Sequence, residues 1–448
     1  MDFQLDWLCL YFQIILLLAI SIREIFRKRG RNLYAILIPL TLLILVQGQT
    51  WWMLNIFEEN DFTEIDHLYQ PISIEGLRLA NRYACLCIVS LGITYAFFSL
   101  RKKSMPREIA ESFHTRFRPA VYHVFIAILT VSFGLIIIQI AGGFIAAVSN
   151  PGMTLVHGLV FFLMLLWLGK LPVLDNMAIG RRNTWLDVTL FIFVLFLFLI
   201  NSRTLVSVIL LQLILLFNYC RREIQRKTLL ESSLIFFLIF FVFGIYRHYM
   251  SQYGMIQQDL FLGFIVDIFS VKNLFDWFYR FNVEGFAGLA GLLTYETNQG
   301  GIDHDFGLSN ISVLFQFIPS SLRYSENLPF KEMKDFFSSL YPYVGYPYAT
   351  GSVVPSGMEN AYAHFGLPGL LGLGVLLGFL MQWLHDRMSQ PKADRLMVAI
   401  VSVHALLIVH GSFYVVIFFV LSELIILFLY RFLIRIPKIL SVHSHRHA

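Results

Sequence analysis

The sequence predicts an all-α polytopic membrane protein with about 11 transmembrane helices and one large outer-facing segment, containing amphipathic helices, between spans 8 and 9. Three observations carry that prediction. Of 448 residues, 57% are hydrophobic and 14% charged, whereas soluble domains carry about a quarter charged residues. The mean hydropathy is +0.68, and the apolar residues gather into stretches of about 20, the length a helix needs to cross the hydrocarbon core. Alternate connections between those stretches are rich in Lys and Arg. This pattern excludes a soluble enzyme, a secreted disulfide domain and a nucleic-acid-binding module. The cysteines Cys9, Cys85, Cys87 and Cys220 form no CxxC pair and imply no disulfide framework.

Spans are expected at 4–22, 33–56, 79–100, 119–147, 154–173, 185–201, 204–220, 229–246, 361–385, 396–411 and 413–430. The basic connections run through Arg23 to Arg31, Arg101 to Arg118, Arg181 and Arg182, Arg221 to Lys227, and Arg387 to Arg395. By the positive-inside rule these face the cytoplasm, which sets the N-terminus outside and the C-terminus inside. The first segment begins with Asp2 and Asp6, and its basic cluster follows the apolar run. It is therefore expected to be a retained span and not a cleaved signal. Four regions follow: an N-terminal membrane bundle (1–246), a large extracytoplasmic segment (247–360), the last spans (361–430) and a cytoplasmic tail (431–448).

The extracytoplasmic segment carries the most information, because connections longer than about 15 residues are usually functional or disordered. Its Phe, Tyr, Leu, Gly and Pro content argues for order. The stretches Asp259 to Phe269 and Asn273 to Phe281 have the pattern of helices lying along a membrane interface. The run SSLYPYVGYPYATG, Ser338 to Gly351, has Tyr faces suited to stacking on sugar rings, with Tyr343 and Tyr346 as candidates; an interfacial aromatic belt explains it equally well. Tyr362, at the entrance to the next span, is a third candidate. The segment holds 6 basic residues against 11 acidic ones. Isolated arginines such as Arg247, Arg280 and Arg323 beside aromatic residues suit bidentate binding of phosphate or carboxylate, although pairing with a nearby carboxylate is the simpler reading of any one. Arg203 sits in a short connection, Asn201-Ser202-Arg203, between two apolar spans, where a guanidinium is costly unless it faces a polar cavity or a ligand.

Four local patterns, in this order and on this topology, resemble the oligosaccharide repeat-unit polymerases, the Wzy-type family of O-antigen, capsule and exopolysaccharide polymerases. They are NSRT (Asn201 to Thr204), IYRHYM (Ile245 to Met250), QFIPSSLRYSENLPF (Gln316 to Phe330) and MENAYAHFGLPGLLG (Met358 to Gly372). The Trp-Pro that often follows the family's FIP turn is absent here, and a frequent late Arg-Gly is His410-Gly411.

The resemblance implies a glycosyltransferase of polysaccharide biosynthesis whose donor and acceptor are both undecaprenyl-pyrophosphate-linked oligosaccharides at the outer leaflet. A hydroxyl of the incoming unit would attack the anomeric carbon of the growing chain, with inversion and loss of lipid pyrophosphate. Arg203, Arg247, Arg280 and Arg323 are the candidates for binding that pyrophosphate, since guanidinium stabilises the charge without a metal. Glu359 and His364 are the candidates for the general base; Glu359 can equally be a structural residue at a helix start, and His364 a packing residue. No cofactor and no metal are expected. The tail residues His443, His445 and His447 read as a solvated basic end, and the acidic cluster Glu58 to Asp66 is a weaker alternative for metal or base. Implied partners are the bilayer, a flippase and a chain-length regulator, with no nucleic acid. Competing expectations are an O-antigen ligase, another polyprenyl-linked glycosyltransferase, and, from a different class, a lipid-linked oligosaccharide flippase.

Overall fold

The computed structural model describes residues 2–27, 30–60, 64–67, 70–101, 286–311, 356–390 and 395–410, with isolated positions between 211 and 227 and between 416 and 428. The expected spans between 119 and 246 and at 413–430 lie wholly or almost wholly outside these residues, as do both amphipathic stretches and the tail. By internal packing the chain divides into two units. The first comprises Met1–Arg107, Ile224–Gln390 and His404–Phe418, and the second Glu108–Glu223, Pro391–Val403 and Phe419–Ala448. Nearly all described residues belong to the first unit.

Helix α1 (Asp2–Ile25) is followed by α2 (Tyr34–Leu42), a π-helical turn (Leu43–Gln47) and α3 (Gly48–Asn60). The amide oxygen of Asn32 starts α2 by accepting the backbone N–H groups of Tyr34 and Ala35 at 3.1 and 3.2 Å, which satisfies donors that a helix start leaves open. Strands β1 (Glu64–His67) and β2 (Gln70–Ser73) pair antiparallel, with Ile65 opposite Ile72. This hairpin, inside the acidic early loop, is a local departure from the all-α expectation. Helix α4 (Ile74–Arg101) begins directly after it, with the Ser73 hydroxyl accepting the Gly76 N–H at 3.1 Å.

Helix α5 (Ala287–Gln299) is capped from another element: the Gln49 side-chain oxygen accepts the N–H groups of Phe286 and Ala287 at 2.8 and 3.1 Å. It ends at Gly300, whose left-handed φ of 82° directs its N–H onto the Glu296 carbonyl. A one-turn helix α6 (Leu308–Ile311), the 33-residue α7 (Gly357–Ser389) and α8 (Arg395–His410) complete the described elements.

Among the described residues, four segments are long and apolar enough to cross a membrane: Phe3–Ile25, Tyr34–Glu59, Ile74–Leu100 and Gly357–Ser389. They fall on the expected spans 1, 2, 3 and 9, and the last begins four residues earlier than expected because Ser356 caps it. Helix α8 overlies expected span 10. Large apolar side chains such as Leu8, Ile15 and Ile93 are exposed along these helices, as lipid-facing positions require.

Helices α1, α4 and α7 run parallel. From one end to the other, α1 and α4 meet at Asp6 with Arg78, Gln13 with Asn81, and Glu24 with Tyr95. Helices α4 and α7 meet at Tyr83 with Tyr362 and at Phe98 with Phe379. The α4–α7 contact depends on Gly374 and Gly378, a small-xxx-small pair that lets backbones approach closely. A methyl group on Gly374 would overlap the Cys87 carbonyl and the Ser90 hydroxyl, and one on Gly378 would lie 2.5 Å from the Leu91 carbonyl.

Several polar groups inside this bundle pair with one another, because lipid offers no alternative partners. Asp6 is fully buried and lies 3.1 Å from the Arg78 Nε and 3.5 Å from the Arg82 Nε. Asn81 donates to the Asp6 carbonyl at 2.8 Å, Gln13 to the Asn81 Oδ1 at 2.8 Å and Gln47 to the Gln13 Oε1 at 3.0 Å. At the opposite end, buried Glu24 accepts the Tyr95 hydroxyl at 2.9 Å and the Asn32 N–H at 3.2 Å, while Asn32 donates to the Met381 carbonyl at 2.9 Å. Arg23, Arg27 and Arg387 gather at that second end, near the last turns of α1 and α7.

Candidate functional site: an acid–histidine pair at a broken helix

The first turn of α7 is fixed by a capping box. The Ser356 hydroxyl accepts the Glu359 N–H at 3.2 Å, and Glu359 Oε2 accepts the Ser356 N–H at 3.2 Å. The Glu359 carboxylate is 3% exposed at the level of the residue and presses against Gly288 of α5, where any side chain would overlap it. Two stabilising roles of a helix-start carboxylate coincide here, reciprocal capping and favourable interaction with the helix dipole.

Two turns later α7 breaks. Gly366 has φ 62° and ψ −152°, which a side chain disfavours strongly, and Pro368 lacks the N–H that would bond the His364 carbonyl. Both released carbonyls are recovered by the loop after α5. His304 Nδ1 donates to the Ala363 carbonyl at 2.9 Å, and the Phe306 N–H donates to the His364 carbonyl at 3.1 Å. Asp305, between these residues, is thereby delivered to the His364 ring, and its Oδ1 is hydrogen bonded to His364 Nδ1. The same carboxylate starts α6, accepting the Gly307 and Ser309 N–H groups at 2.9 Å each.

Burial pushes the Asp305 carboxyl up, but the hydrogen bond from His364, the bonds from Ser309 and the charge of the His364 ring when protonated outweigh it, holding the group at about 2. Asp305 is therefore an anion at any physiological pH. Its side chain is 18% exposed, while that of His364 is 0% exposed. An anion on Nδ1 fixes the neutral ring with its proton on Nδ1 and its basic lone pair on Nε2. Such a ring can accept a proton from a hydroxyl and is stabilised once charged.

The neighbouring aromatic residue is also held. The Tyr362 hydroxyl donates to Glu296 Oε2 at 2.6 Å, and its ring lies 5.7 Å from Tyr83 and 6.1 Å from His304 between centroids. Of the residues singled out in the sequence, Glu359, Tyr362 and His364 thus share the first turns of α7, the first two meeting α5 and the third the loop after it. Arg203, Arg247, Arg280, Arg323, Tyr343 and Tyr346 lie outside the described residues. Of the early acidic cluster, Glu58 lies in the last turn of α3 and accepts the Trp7 indole N–H at 3.2 Å, and Glu64 and Asp66 belong to β1. Among the described residues, no three His, Cys, Asp or Glu side chains come together as a metal-ligand set.

Sequence reasoning missed Asp305, His304, Glu296 and Tyr83. The first two had a signal: IDHDFG, bracketed by Gly300-Gly301 and Gly307, places acids and a histidine in a stretch of positive-φ glycines. Fold and site together define a helical membrane protein with a buried histidine paired to a part-exposed acid where a membrane-length helix is interrupted. In comparisons with known proteins, the chain matches no family model, no curated protein and no solved structure.

Proposed function

We propose that this chain is a repeat-unit polymerase of the bacterial cytoplasmic membrane, joining polyprenyl-pyrophosphate-linked oligosaccharides at the outer face by inverting glycosyl transfer that needs no metal. The observation that carries the reading is the Asp305–His364 pair at the break in α7. It supplies a general base at the end of the bundle away from Arg23, Arg27 and Arg387, which the positive-inside rule assigns to the cytoplasm. The four sequence patterns support it, as does the parallel run of α4 and α7. That geometry demands an odd number of crossings between them, and the five expected spans satisfy it.

In this reaction the acceptor hydroxyl gives its proton to His364 Nε2 as its oxygen bonds to the anomeric carbon of the donor. The bond from that carbon to the pyrophosphate oxygen breaks, and its electron pair leaves with the lipid pyrophosphate. Asp305 orients the ring and stabilises the imidazolium that forms. Glu359, committed to its capping box, is the weaker base candidate. Arg203, Arg247, Arg280 and Arg323 are the candidates to meet the leaving group, with Tyr343, Tyr346 and Tyr362 as sugar-stacking surfaces. A flippase and a chain-length regulator are the partners this reading calls for.

The test is the surface-glycan ladder in a deletion strain complemented with wild type, His364→Ala or Arg203→Ala at equal expression. A long ladder with wild type and a single repeat unit with either variant is the expected result. Loss of every unit in the deletion strain would indicate ligation or flipping instead, and an unchanged ladder in a strain lacking a second polymerase would sink the glycan-assembly reading.

A further inference from the structure

Asn360 is completely buried, and neither its amide nitrogen nor its amide oxygen has a hydrogen-bond partner in the protein. A buried polar group left unmade is a standing cost to the fold, and native structures keep few of them without a reason. Its neighbours are all committed: Ser356 and Glu359 to the capping box, and Tyr362 to Glu296. Asn360 lies four residues before His364, so the two side chains sit one above the other on the same helical stripe, about 5–6 Å apart at Cβ. A second carboxamide shares this junction. Asn310, on the short helix started by Asp305, is also buried, and its Oδ1 has no hydrogen-bond partner.

We infer that Asn360 is the hydroxyl-reading residue of an acceptor subsite, binding the neutral sugar whose adjacent hydroxyl His364 deprotonates. A carboxamide presents one acceptor and two donors on a rigid plane without charge. A sugar hydroxyl is itself donor and acceptor, so two hydroxyls of one ring satisfy both faces of the amide. A phosphate offers acceptors only and would leave the amide oxygen unpaired, and arginine serves it better. The stripe therefore separates tasks: Asn360 holds the ring while His364 takes the proton. A site built this way rejects a sugar lacking the hydroxyl, because the amide is then left unpaired again. This assignment rests on the polymerase reading for the identity of the acceptor, but the amide site itself is tested without turnover.

Saturation-transfer NMR on full-length protein in nanodiscs, with a panel of methyl glycosides of glucose, galactose, mannose, rhamnose and N-acetylglucosamine, reads the site directly. At least one glycoside is expected to bind wild type and to lose at least tenfold in affinity with Asn360→Ala and with Asn360→Leu. The unfolding midpoint of at least one variant should stay at or above that of wild type, since no protein hydrogen bond is lost. Equal glycoside binding by wild type and variants, or no binding by a wild type that extends the ladder, overturns the subsite and leaves polymerisation standing. A lowered midpoint in both variants shows that the amide holds the fold, which also overturns it. If the ladder test fails while Asn360-dependent glycoside binding is present, the sugar site stands and the polymerase reading falls.

Discussion

The His364 ring and the Asp305 carboxylate are 59 residues apart in the chain and are joined through Nδ1 and Oδ1. The junction is made by backbone first and side chains second. A break at Gly366 and Pro368 releases two carbonyls, His304 and Phe306 take them, and Asp305 is the residue between. The pair is therefore as well fixed as the helix break that organises it.

If the proposed polymerisation uses Asp305 to orient and charge the imidazole, Asp305→Asn should lower its rate by about 10²- to 10⁴-fold. Asparagine keeps one acceptor oxygen and can still cap α6 through one of the two N–H groups, so the fold should survive at the cost of one cap bond. His364→Ala should fall in the same range, and the double variant should fall no further than the worse single, since the two act as one unit. Ladder length and single-turnover rates measure this; a multiplicative double variant would show two independent roles.

Asp305 also makes acid stability predictable. Its folded value of about 2 lies below its ordinary value of 3.8. A depressed carboxylate contributes stability in full above its unfolded value and loses it as pH falls through its folded value. Between about pH 5 and pH 2, wild type should therefore lose on the order of 1 kcal/mol more than Asp305→Asn, the partial exposure of the carboxylate having reduced the effect. Above about pH 5 the difference should be flat. Unfolding in detergent at a series of pH values checks it, and parallel curves below pH 4 would contradict it.

Hydropathy made the described spans legible because length and apolarity are local properties: Phe3–Ile25 and Ile74–Leu100 fall on their expected segments. Glu359 and His364 drew notice in the sequence for a related reason, since they stand at the polar mouth of an apolar run. What was hidden is pairing. Glu359 reads as a base until its carboxylate is seen to accept the Ser356 N–H, and Asp305 reads as loop until the kink brings it to His364. The hairpin at Glu64–His67 was masked by its acidic composition, which strands usually avoid.

Close packing of α4 on α7 gives a prediction with an internal control. Gly374→Ala would overlap the Cys87 carbonyl and the Ser90 hydroxyl, whereas a methyl group on Gly372 meets nothing within 4 Å. Gly374→Ala should cost about 1–3 kcal/mol through forced separation of the helices. Gly372→Ala should be neutral or slightly stabilising, because alanine is the better helix former. Thermal unfolding in a single detergent compares them, and equal midpoints would mean that the glycines are not where the helices touch.

The break in α7 should be controlled by Gly366 far more than by Pro368. An L-residue at φ 62° and ψ −152° is strained by about 1–3 kcal/mol, and a Cβ there would also lie 3.1 Å from His304 Nε2. Gly366→Ala must therefore either hold that strain or let the helix continue. Continuation returns the Ala363 carbonyl to a helical donor and expels His304, displacing the loop that carries Asp305; the His364 carbonyl gains no helical donor, because Pro368 has no N–H. Pro368→Ala restores one N–H, but the carbonyl it would seek is already bound by Phe306 at 3.1 Å, and the Gly366 conformation remains. The expected order is a destabilised, inactive Gly366→Ala and a nearly native Pro368→Ala. Midpoint and ladder length should fall together in the first, since the loop that stabilises the break also carries the carboxylate. A Gly366→Ala protein as stable and active as wild type would show that the acid–histidine pair forms without the break.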